Sequence, residues 1–304
     1  MRAIEAQQSL NVRQALRQAM ARLRQAAVPS HTLAAELLLM HTLGRDRAWL
    51  YAHPEEPLSP AAAARYFDGV AKRASGMPTQ YITGKQEFWG LQFEVTPDVL
   101  IPRPETEHVV EVALDRLGLR QVKDGRAQTT RGAGLRIADV GIGSGCIAVA
   151  MARELPEAQF YATDISPAAL EVARRNAERH GVADRIHFAE SDLLSGLPDE
   201  EARFDLIVSN PPYISLRDIE NVSRETFLHE PRTALFAGED GMAFYPELIA
   251  QAAKRLIPGG LLVLELGYDS LLKVWPLLET PEWTNLGVTH DLAGIPRVIA
   301  AERL

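Results

Sequence analysis

Leu135-Arg136-Ile137-Ala138-Asp139-Val140-Gly141-Ile142-Gly143-Ser144-Gly145-Cys146 is the stretch that decides the fold. Leu135 to Val140 is a short apolar run of strand length, and Cys146 to Leu155 has the pattern of a helix. A strand, a glycine turn and a helix in direct succession make one unit of an α/β sheet. Glycine lets the backbone turn sharply and approach a ligand closely, and the helix start behind it offers free N–H groups. Asp164 lies 23 residues after Gly141, at the end of the next predicted strand, Phe160 to Thr163. A carboxylate there can accept hydrogen bonds from both hydroxyls of a ribose. A nicotinamide fingerprint wants glycine at its first, third and sixth positions. Here the sixth position is Cys146 and the third glycine falls at the fifth. The spacing suits a ligand without a pyrophosphate, which disfavours a nicotinamide oxidoreductase. A turn that serves only helix packing is the plainer alternative, and Asp164 weighs against it.

The same alternation continues downstream. Ser166 to His180 is predicted as a helix, with Ser166 as N-cap, Pro167 at its first position and Gly181 as its stop. Phe204 to Ser209 and Leu261 to Leu266 read as buried strands. Leu286 to Thr289 and Val298 to Ala300 are too close for a parallel crossover, so they are expected to be antiparallel. Upstream, Pro104 opens a helix that should end at Gly118, and Gln121 to Gly134 is polar and aperiodic, a surface linker or insertion. Gln86 to Leu100 alternates as a β-hairpin would, with Trp89 and Phe93 as its core. Ahead of it the period becomes helical. Val12, Leu16, Ala19 and Leu23 form one face, Leu33, Leu37, Leu38 and Met40 a second apolar stretch ending near Gly44, and Ser59-Pro60 caps a helix running to about Ala74, with Gly76 as its stop. The expected organisation is a helical substrate-docking domain over 1–85, a hairpin linker over 86–101 and an α/β domain over 102–304.

With 46% hydrophobic and 24% charged residues in 304, the chain is ordinary globular material, not disordered, collagen-like or coiled-coil. No run approaches the ~18–20 apolar residues of a membrane helix. Met1 to Gln25 carries five arginines and no apolar core, so no secretory signal is expected. A single cysteine, Cys146, excludes an internal disulfide and a cysteine-based metal site, reads as a small buried residue, and points to a cytoplasmic address. His108, His180, His187, His229 and His290 have no metal-ligand spacing, so no metal is expected. His229 is expected to cap or pack a loop, and Asp269-Ser270 to cap a helix. The net charge of −8 argues against an enzyme that tracks nucleic acid. Residues 1–85 hold 11 Lys/Arg against 6 Asp/Glu, and the remainder 21 against 34. The basic front is either a dock for an acidic partner, such as a protein bound to RNA, or a solvated arginine-rich face.

Asn210-Pro211-Pro212-Tyr213 follows the strand Phe204 to Ser209, and so stands at the same sheet edge as the glycine loop. Asparagine offers one carbonyl oxygen and one NH2. Each proline keeps its carbonyl and lacks an N–H. The peptide is stiff and rich in acceptors, suited to gripping a planar –NH2 through both hydrogens, and Tyr213 adds an aromatic face.

Together with the Gly-x-Gly-x-Gly loop and Asp164, this tetrapeptide resembles the S-adenosyl-L-methionine-dependent methyltransferases acting on amino or amide nitrogen. More closely, the chain resembles the release factor glutamine N5-methyltransferases, the PrmC/HemK family. Gln80–Gly84, Phe88–Leu91, Leu100–Glu107, His229–Arg232 and Asp291–Gly294 carry the likeness over nearly the whole chain. The resemblance implies a Rossmann-like class I methyltransferase sheet, mostly parallel with an antiparallel last strand, joined by a hairpin to a helical bundle. It implies methyl transfer from S-adenosyl-L-methionine, leaving S-adenosyl-L-homocysteine, to the Gly-Gly-Gln glutamine of peptide chain release factors, by a monomer. Asn210, Pro211, Pro212 and Tyr213 would carry catalysis and hold the substrate. Gly141, Ile142, Gly143, Ser144, Gly145, Asp164, Asp192, Leu193 and Asn210 would hold the cofactor, with Asp192 near the adenine amino group and Glu105 and Thr106 lining the methionine side. Ile142 stands where threonine is common, and Leu193 where some members carry an aromatic residue. The alternatives are a ribosomal-protein glutamine methyltransferase, a DNA or RNA amino (adenine N6) methyltransferase, and a non-enzymatic cofactor-binding protein.

Overall fold

Asn11 starts the first helix with a reciprocal cap. Its side chain accepts the Gln14 N–H at 2.9 Å, and the Gln14 side chain accepts the Asn11 N–H at 3.1 Å. The computed structural model describes residues 10–118, 134–197 and 203–304. The polar stretch Gln121–Gly134 lies, except for Gly134, outside the described residues. The chain divides into two compact units, Met1–Gly84 with Arg224–His229, and Lys85–Ser223 with Glu230–Leu304.

The first unit is helical: α1 (Val12–Gln25), α2 (His31–Leu43), α3 (Arg47–Ala52), α4 (Pro60–Ala74) and α5 (Thr79–Thr83). The buried face of α1 is the one the spacing predicts, Val12, Leu16, Ala19 and Leu23, with Ala15 added. Ser59 caps α4 by accepting the Ala62 N–H at 3.2 Å. Of the apolar stretch read from the sequence, α2 buries Leu38 and half-buries Leu37 and Met40. Ala34, Ala35, Leu38 and Leu39 point inward, and Leu33 is 47% exposed, because two alanines let that side pack closest to its neighbours. Tyr66 crosses this core and donates its hydroxyl to the Ala35 carbonyl at 3.1 Å. Arg73, 5% exposed, pairs with Glu225 at 2.6 Å.

The second unit opens with β1 (Lys85–Phe88) and β2 (Leu91–Glu94), antiparallel around Trp89 and Gly90, both at positive φ. The hairpin is shorter than predicted. Pairing ends at Glu94, because Thr96 and Asp98 fold a turn around Pro97, which has no N–H to offer a ladder. Its core is Phe88 against Phe93, edge to face with centroids 6.1 Å apart, while Trp89 sits at the turn and packs on the margin. The helix predicted from Pro104 starts as a 3-10 turn, Pro104–Thr106, before α6 (Glu107–Arg116). Then come β3 (Arg136–Val140), α7 (Cys146–Glu154), β4 (Gln159–Asp164), α8 (Pro167–Arg179), β5 (Ile186–Glu190) and β6 (Phe204–Ser209). The chain continues through α9 (Arg224–His229), which groups with the helical unit, α10 (Arg232–Leu235), α11 (Tyr245–Arg255), β7 (Leu256–Glu265), α12 (Leu271–Leu278), β8 (Trp283–His290) and β9 (Pro296–Arg303). Ser166 caps α8 as predicted, accepting the Ala169 N–H at 3.2 Å. Ser270 precedes α12, but its side chain makes no capping bond.

Among the described residues the sheet has seven strands in the order β5-β4-β3-β6-β7-β9-β8. The first five are parallel, and β9 runs antiparallel to both its neighbours. One apolar cluster joins residues of the sheet to α6, α7 and α8, and a second joins others to α11 and α12, so both faces are covered. Chain order runs outward from β3 to β4 and β5 on one side, and from β6 to β7 on the other. The reversal falls between β3 and β6, where open α/β sheets bind ligands beyond the strand ends.

Candidate active site

The reversal point brings two turns together. Val140 and Ser209 are in register at the ends of β3 and β6, and the Ser209 hydroxyl donates to the Val140 carbonyl at 2.7 Å. Gly141 and Asn210 therefore leave the sheet side by side. Above them is a cavity of about 300 Å3, bordered by Gly141 to Ser144, Asp164, Asp192, Leu193, Asn210 to Pro212 and Thr106.

The glycine loop serves two ends at once. Gly141 has φ +74°, and a Cβ there would meet nothing within 4 Å, so this part of the loop turns an open side outward. Gly145, at φ +83°, does not border the cavity. A Cβ there would stand 3.2 Å from the Cβ of Ala173, so this glycine lets α7 and α8 pack closely. The loop is pinned from below by the Thr163 carbonyl, which accepts the N–H groups of Gly141 and Ile142 at 2.8 and 2.9 Å.

Asp164 accepts the Gly143 N–H on Oδ2 and the Ser166 N–H on Oδ1, each at 2.9 Å. Burial raises its pKa against these donors. Each carboxylate oxygen keeps a further lone pair. Asp192 is exposed at the rim. Leu193 lies in the left-handed region at φ +53°, a conformation that costs a non-glycine residue about 1–2 kcal/mol.

Asn210 donates its Nδ2 to the Thr106 Oγ1 at 3.1 Å, which leaves its carbonyl oxygen at the opposite end of the amide. Thr106 is 2% exposed and borders the cavity; Glu105, its expected partner, does not. Tyr213 does not border the cavity either. Its ring stands 2.8 Å from where a Cβ on Gly267 would be, and its hydroxyl donates to Glu265 Oε1 at 3.4 Å. Burial first, and then the Glu265 charge, push the Tyr213 phenol above its usual range.

Three features escaped the sequence reading. Asp139 is fully buried in β3 and accepts the Ala148 N–H on Oδ2 at 3.0 Å, while its Oδ1 has no partner. Glu265, 1% exposed, ends β7 behind the Asn210 turn. Glu230 accepts the Ile101 N–H at 3.2 Å and Arg103 Nη2 at 2.5 Å, tying two stretches of cavity wall together. For the first two the signal was an acid inside an otherwise apolar strand, Ile137 to Val140 and Leu261 to Leu266. Burial pushes the Cys146 thiol up to about 12, as for an inert core residue. Among the described residues no group of three or more His, Cys, Asp or Glu is placed to hold a metal ion, and no helix is long and apolar enough to cross a membrane.

A glycine loop and an Asn-Pro-Pro turn, meeting where a seven-stranded mixed sheet reverses its strand order, define a methyltransferase of the Rossmann-like type. The fold is shared with the hMettl16 catalytic domain, at TM-score 0.54 and 18% identity over 80% of this chain and 81% of that one. It is shared too with the T. thermophilus 16S rRNA methyltransferase RsmC, at TM-score 0.51 and 21% identity over 72% of this chain and 50% of that one. Residues 14–84 match the PrmC N-terminal domain and residues 127–242 the methyltransferase small domain. The release factor glutamine methyltransferase of Koribacter versatilis is 42% identical over 97% of this chain and 99% of its own, and that of Geobacter sulfurreducens 43% identical over 91% of each. The chain belongs to the release factor glutamine methyltransferase family.

Proposed function

We propose that this chain transfers a methyl group from S-adenosyl-L-methionine to the side-chain amide nitrogen of the glutamine in the Gly-Gly-Gln motif of peptide chain release factors. The observation that carries the reading is the juxtaposition of the Gly141 loop and the Asn210 turn above one cavity, with the Asn210 NH2 engaged by Thr106. S-adenosyl-L-methionine supplies a methyl carbon on a sulfonium, a good leaving group. The residues present suit such a donor. The open side of Gly141 admits close approach, Asp164 keeps lone pairs for two ribose hydroxyls, and Leu193 offers an aliphatic cover for a base. Asp192 stands at the rim for an adenine amino group, Ile142 and Ser144 line the floor, and Thr106 closes the side nearest Asn210.

A carboxamide nitrogen is a poor nucleophile because its lone pair is delocalised into the carbonyl. The Asn210 Oδ1 and the Pro211 carbonyl accept its two hydrogens. This turns the nitrogen's electrons toward the methyl carbon and stabilises the positive charge that develops there. Pro212 stiffens the turn, and Tyr213, whose hydroxyl is tied to Glu265 away from the cavity, anchors its far end. Alignment in a dry pocket supplies the rest, several kcal/mol of barrier. No metal and no obligatory general base take part. The helical unit, carrying the basic excess, docks the release factor.

The test is incubation with labelled S-adenosyl-L-methionine and, separately, release factor, ribosomal protein or DNA. Mass spectrometry should find one added methyl on the Gly-Gly-Gln glutamine, and Asn210→Ala should abolish it while leaving cofactor binding nearly intact. Label found only in ribosomal protein or DNA would refute the substrate, and full activity in Asn210→Ala would refute the mechanism.

A further inference from the structure

The turn over 291–294 carries part of the sequence likeness, yet the chemistry just described does not use it. It joins β8 to β9 at the edge of the sheet from which Asn210 leaves. β7 is parallel to β6, and β9 is antiparallel to both β7 and β8, so β6, β7 and β8 all end there. The turn is tied from several sides. Asp291 accepts the N–H groups of Ala293 and Ile295 on Oδ1 at 2.9 and 3.0 Å, and Arg297 Nε on Oδ2 at 2.8 Å. Its own N–H donates to the Ile295 carbonyl at 2.9 Å. What this firmly held turn carries outward is a leucine, Leu292, 106% exposed. Leu272, 86% exposed, and Tyr268, 68% exposed, follow β7 at the same edge. These three are the most exposed large apolar side chains among the described residues. Apolar groups scattered singly over a surface need no explanation, but the three barest ones gathered at one edge do.

We propose that Leu292, together with Leu272 and Tyr268, is the surface on which the release factor docks the chain flanking its glutamine. The inference rests on the function proposed above and adds where its protein substrate is gripped. Continuity with the crevice argues for this occupant. The donor's nucleoside is assigned to the β4 and β5 side, at Asp164, Asp192 and Leu193, so the glutamine reaches Asn210 from the β7 side. Direct contacts lead from the Asn210 turn to the leucine. The Tyr213 ring packs against Gly267, the neighbouring Leu266 donates its N–H to the Arg297 carbonyl at 2.7 Å, and Arg297 holds Asp291. The 291–294 turn stands two to three strand spacings from β6, roughly 10–14 Å. An extended chain crosses that distance in about three or four residues. Protein bound to the glutamine therefore cannot enter the crevice without lying against this edge. A leucine on backbone already fixed by Asp291 gains from leaving water and loses little freedom on binding. A nucleic acid would bring phosphates to the same place, where a leucine offers them nothing.

Leu292→Ser keeps every hydrogen bond of the turn and should unfold at the native enzyme's temperature. With purified release factor and labelled S-adenosyl-L-methionine, its KM for the release factor should rise about tenfold, the worth of burying most of a leucine. Its kcat and its Kd for S-adenosyl-L-homocysteine should stay within about twofold. Calorimetric titration of release factor into enzyme saturated with S-adenosyl-L-homocysteine should show the same tenfold loss. Leu272→Ser should move KM in the same direction, and Leu292→Met should keep most of the native value. A folded Leu292→Ser enzyme with native KM and native release-factor affinity would overturn the inference. A fall in kcat at unchanged KM would overturn it too, since the turn would then act on the chemistry. The other apolar occupant is a second copy of the chain. A native dimer in sedimentation that Leu292→Ser dissociates, with KM for the release factor untouched, would decide for that occupant and against this one. The two readings fail separately. If the native enzyme labels only ribosomal protein or DNA, the proposed function falls and the docking surface with it, whereas native constants in Leu292→Ser beside normal methylation of release factor remove the docking surface alone.

Discussion

Replacing Asp139 by asparagine isolates the cost of burying one charge beneath the glycine loop. Asp139 is 0% exposed and has one partner, the Ala148 N–H at 3.0 Å. Burial raises its pKa from 3.8 to about 7; that donor pulls it down, and the charge of Asp164 pushes it up. Between about pH 4 and pH 7 the folded protein therefore holds this proton more tightly than the unfolded chain does. Stability falls as pH rises across that window, and the loss is complete above it. Asparagine keeps an acceptor for Ala148 and does not titrate. The difference in unfolding free energy, variant minus native, should thus move in the variant's favour with rising pH. By about pH 5 roughly one of the three pH decades has been lost, and by about pH 8 all three, so the difference grows by about 3 kcal/mol at roughly 1.4 kcal/mol per decade. Titrating groups not coupled to Asp139 cancel in the comparison, as does any fixed cost of the new NH2; the coupling to Asp164 adds to the same trend. The assay is reversible urea unfolding of both proteins at several pH values between these limits, without cofactor. A difference that stays flat within about 0.5 kcal/mol would show that Asp139 does not carry a buried charge, and the reasoning would fail.

Three further outcomes can be checked. Asp164→Ala should weaken S-adenosyl-L-methionine binding by roughly 10- to 100-fold in calorimetry, the worth of hydrogen bonds to a charged group, and an unchanged Kd would sink the ribose assignment. Leu193→Gly releases the left-handed strain but strips one wall of the cavity. Stability should stay within about 1 kcal/mol while cofactor affinity drops about tenfold, and native affinity would show that Leu193 covers nothing. Ser166→Ala removes the cap of α8 and should cost about 1 kcal/mol in urea unfolding, a value of zero showing that the hydrogen bond to Ala169 is idle.

Elements whose cause is local were legible in the sequence. Ser59 and Ser166 cap where the sequence says they should, because an N-cap needs only a hydroxyl, a proline and the next turn. β6 has its predicted limits because Phe204 and every residue from Leu206 to Ser209 are buried, with Leu206-Ile207-Val208 a continuous apolar run. β5 went unread for the opposite reason. It is an edge strand in which only Ile186 is buried, and Ile186-His187-Phe188-Ala189-Glu190 has no clean alternation to find. In α2 the apolar stretch read from the sequence included Leu33, which is exposed, and passed over Ala34 and Ala35, which are buried, because composition favours leucine while close packing favours alanine. α12 carries Pro276 inside it, which argues against a helix until tertiary packing overrides the local cost.

The site divides along the same line. Both turns were visible because glycine and proline mark backbone that must bend at a known place, and sheet topology then had to bring them together. What held the turns was not visible. Asp139 and Glu265 sit inside runs of apolar residues, and a period-based reading absorbs them into the strand as exceptions. Physical chemistry treats them the other way. A strand that only had to fill a sheet would replace either acid by valine and gain the several kcal/mol lost in burying a carboxyl. Asp139 instead holds the first turn of α7 behind the glycine loop, and Glu265 receives the Tyr213 hydroxyl behind the Asn210 turn. Each acid is buried directly beneath one of the two turns that form the cavity, on strands either side of the reversal point. An isolated acid in an apolar strand whose carboxyl end faces a ligand crevice is therefore a pointer to the site. The sequence alone offers that pointer once the strand order is known.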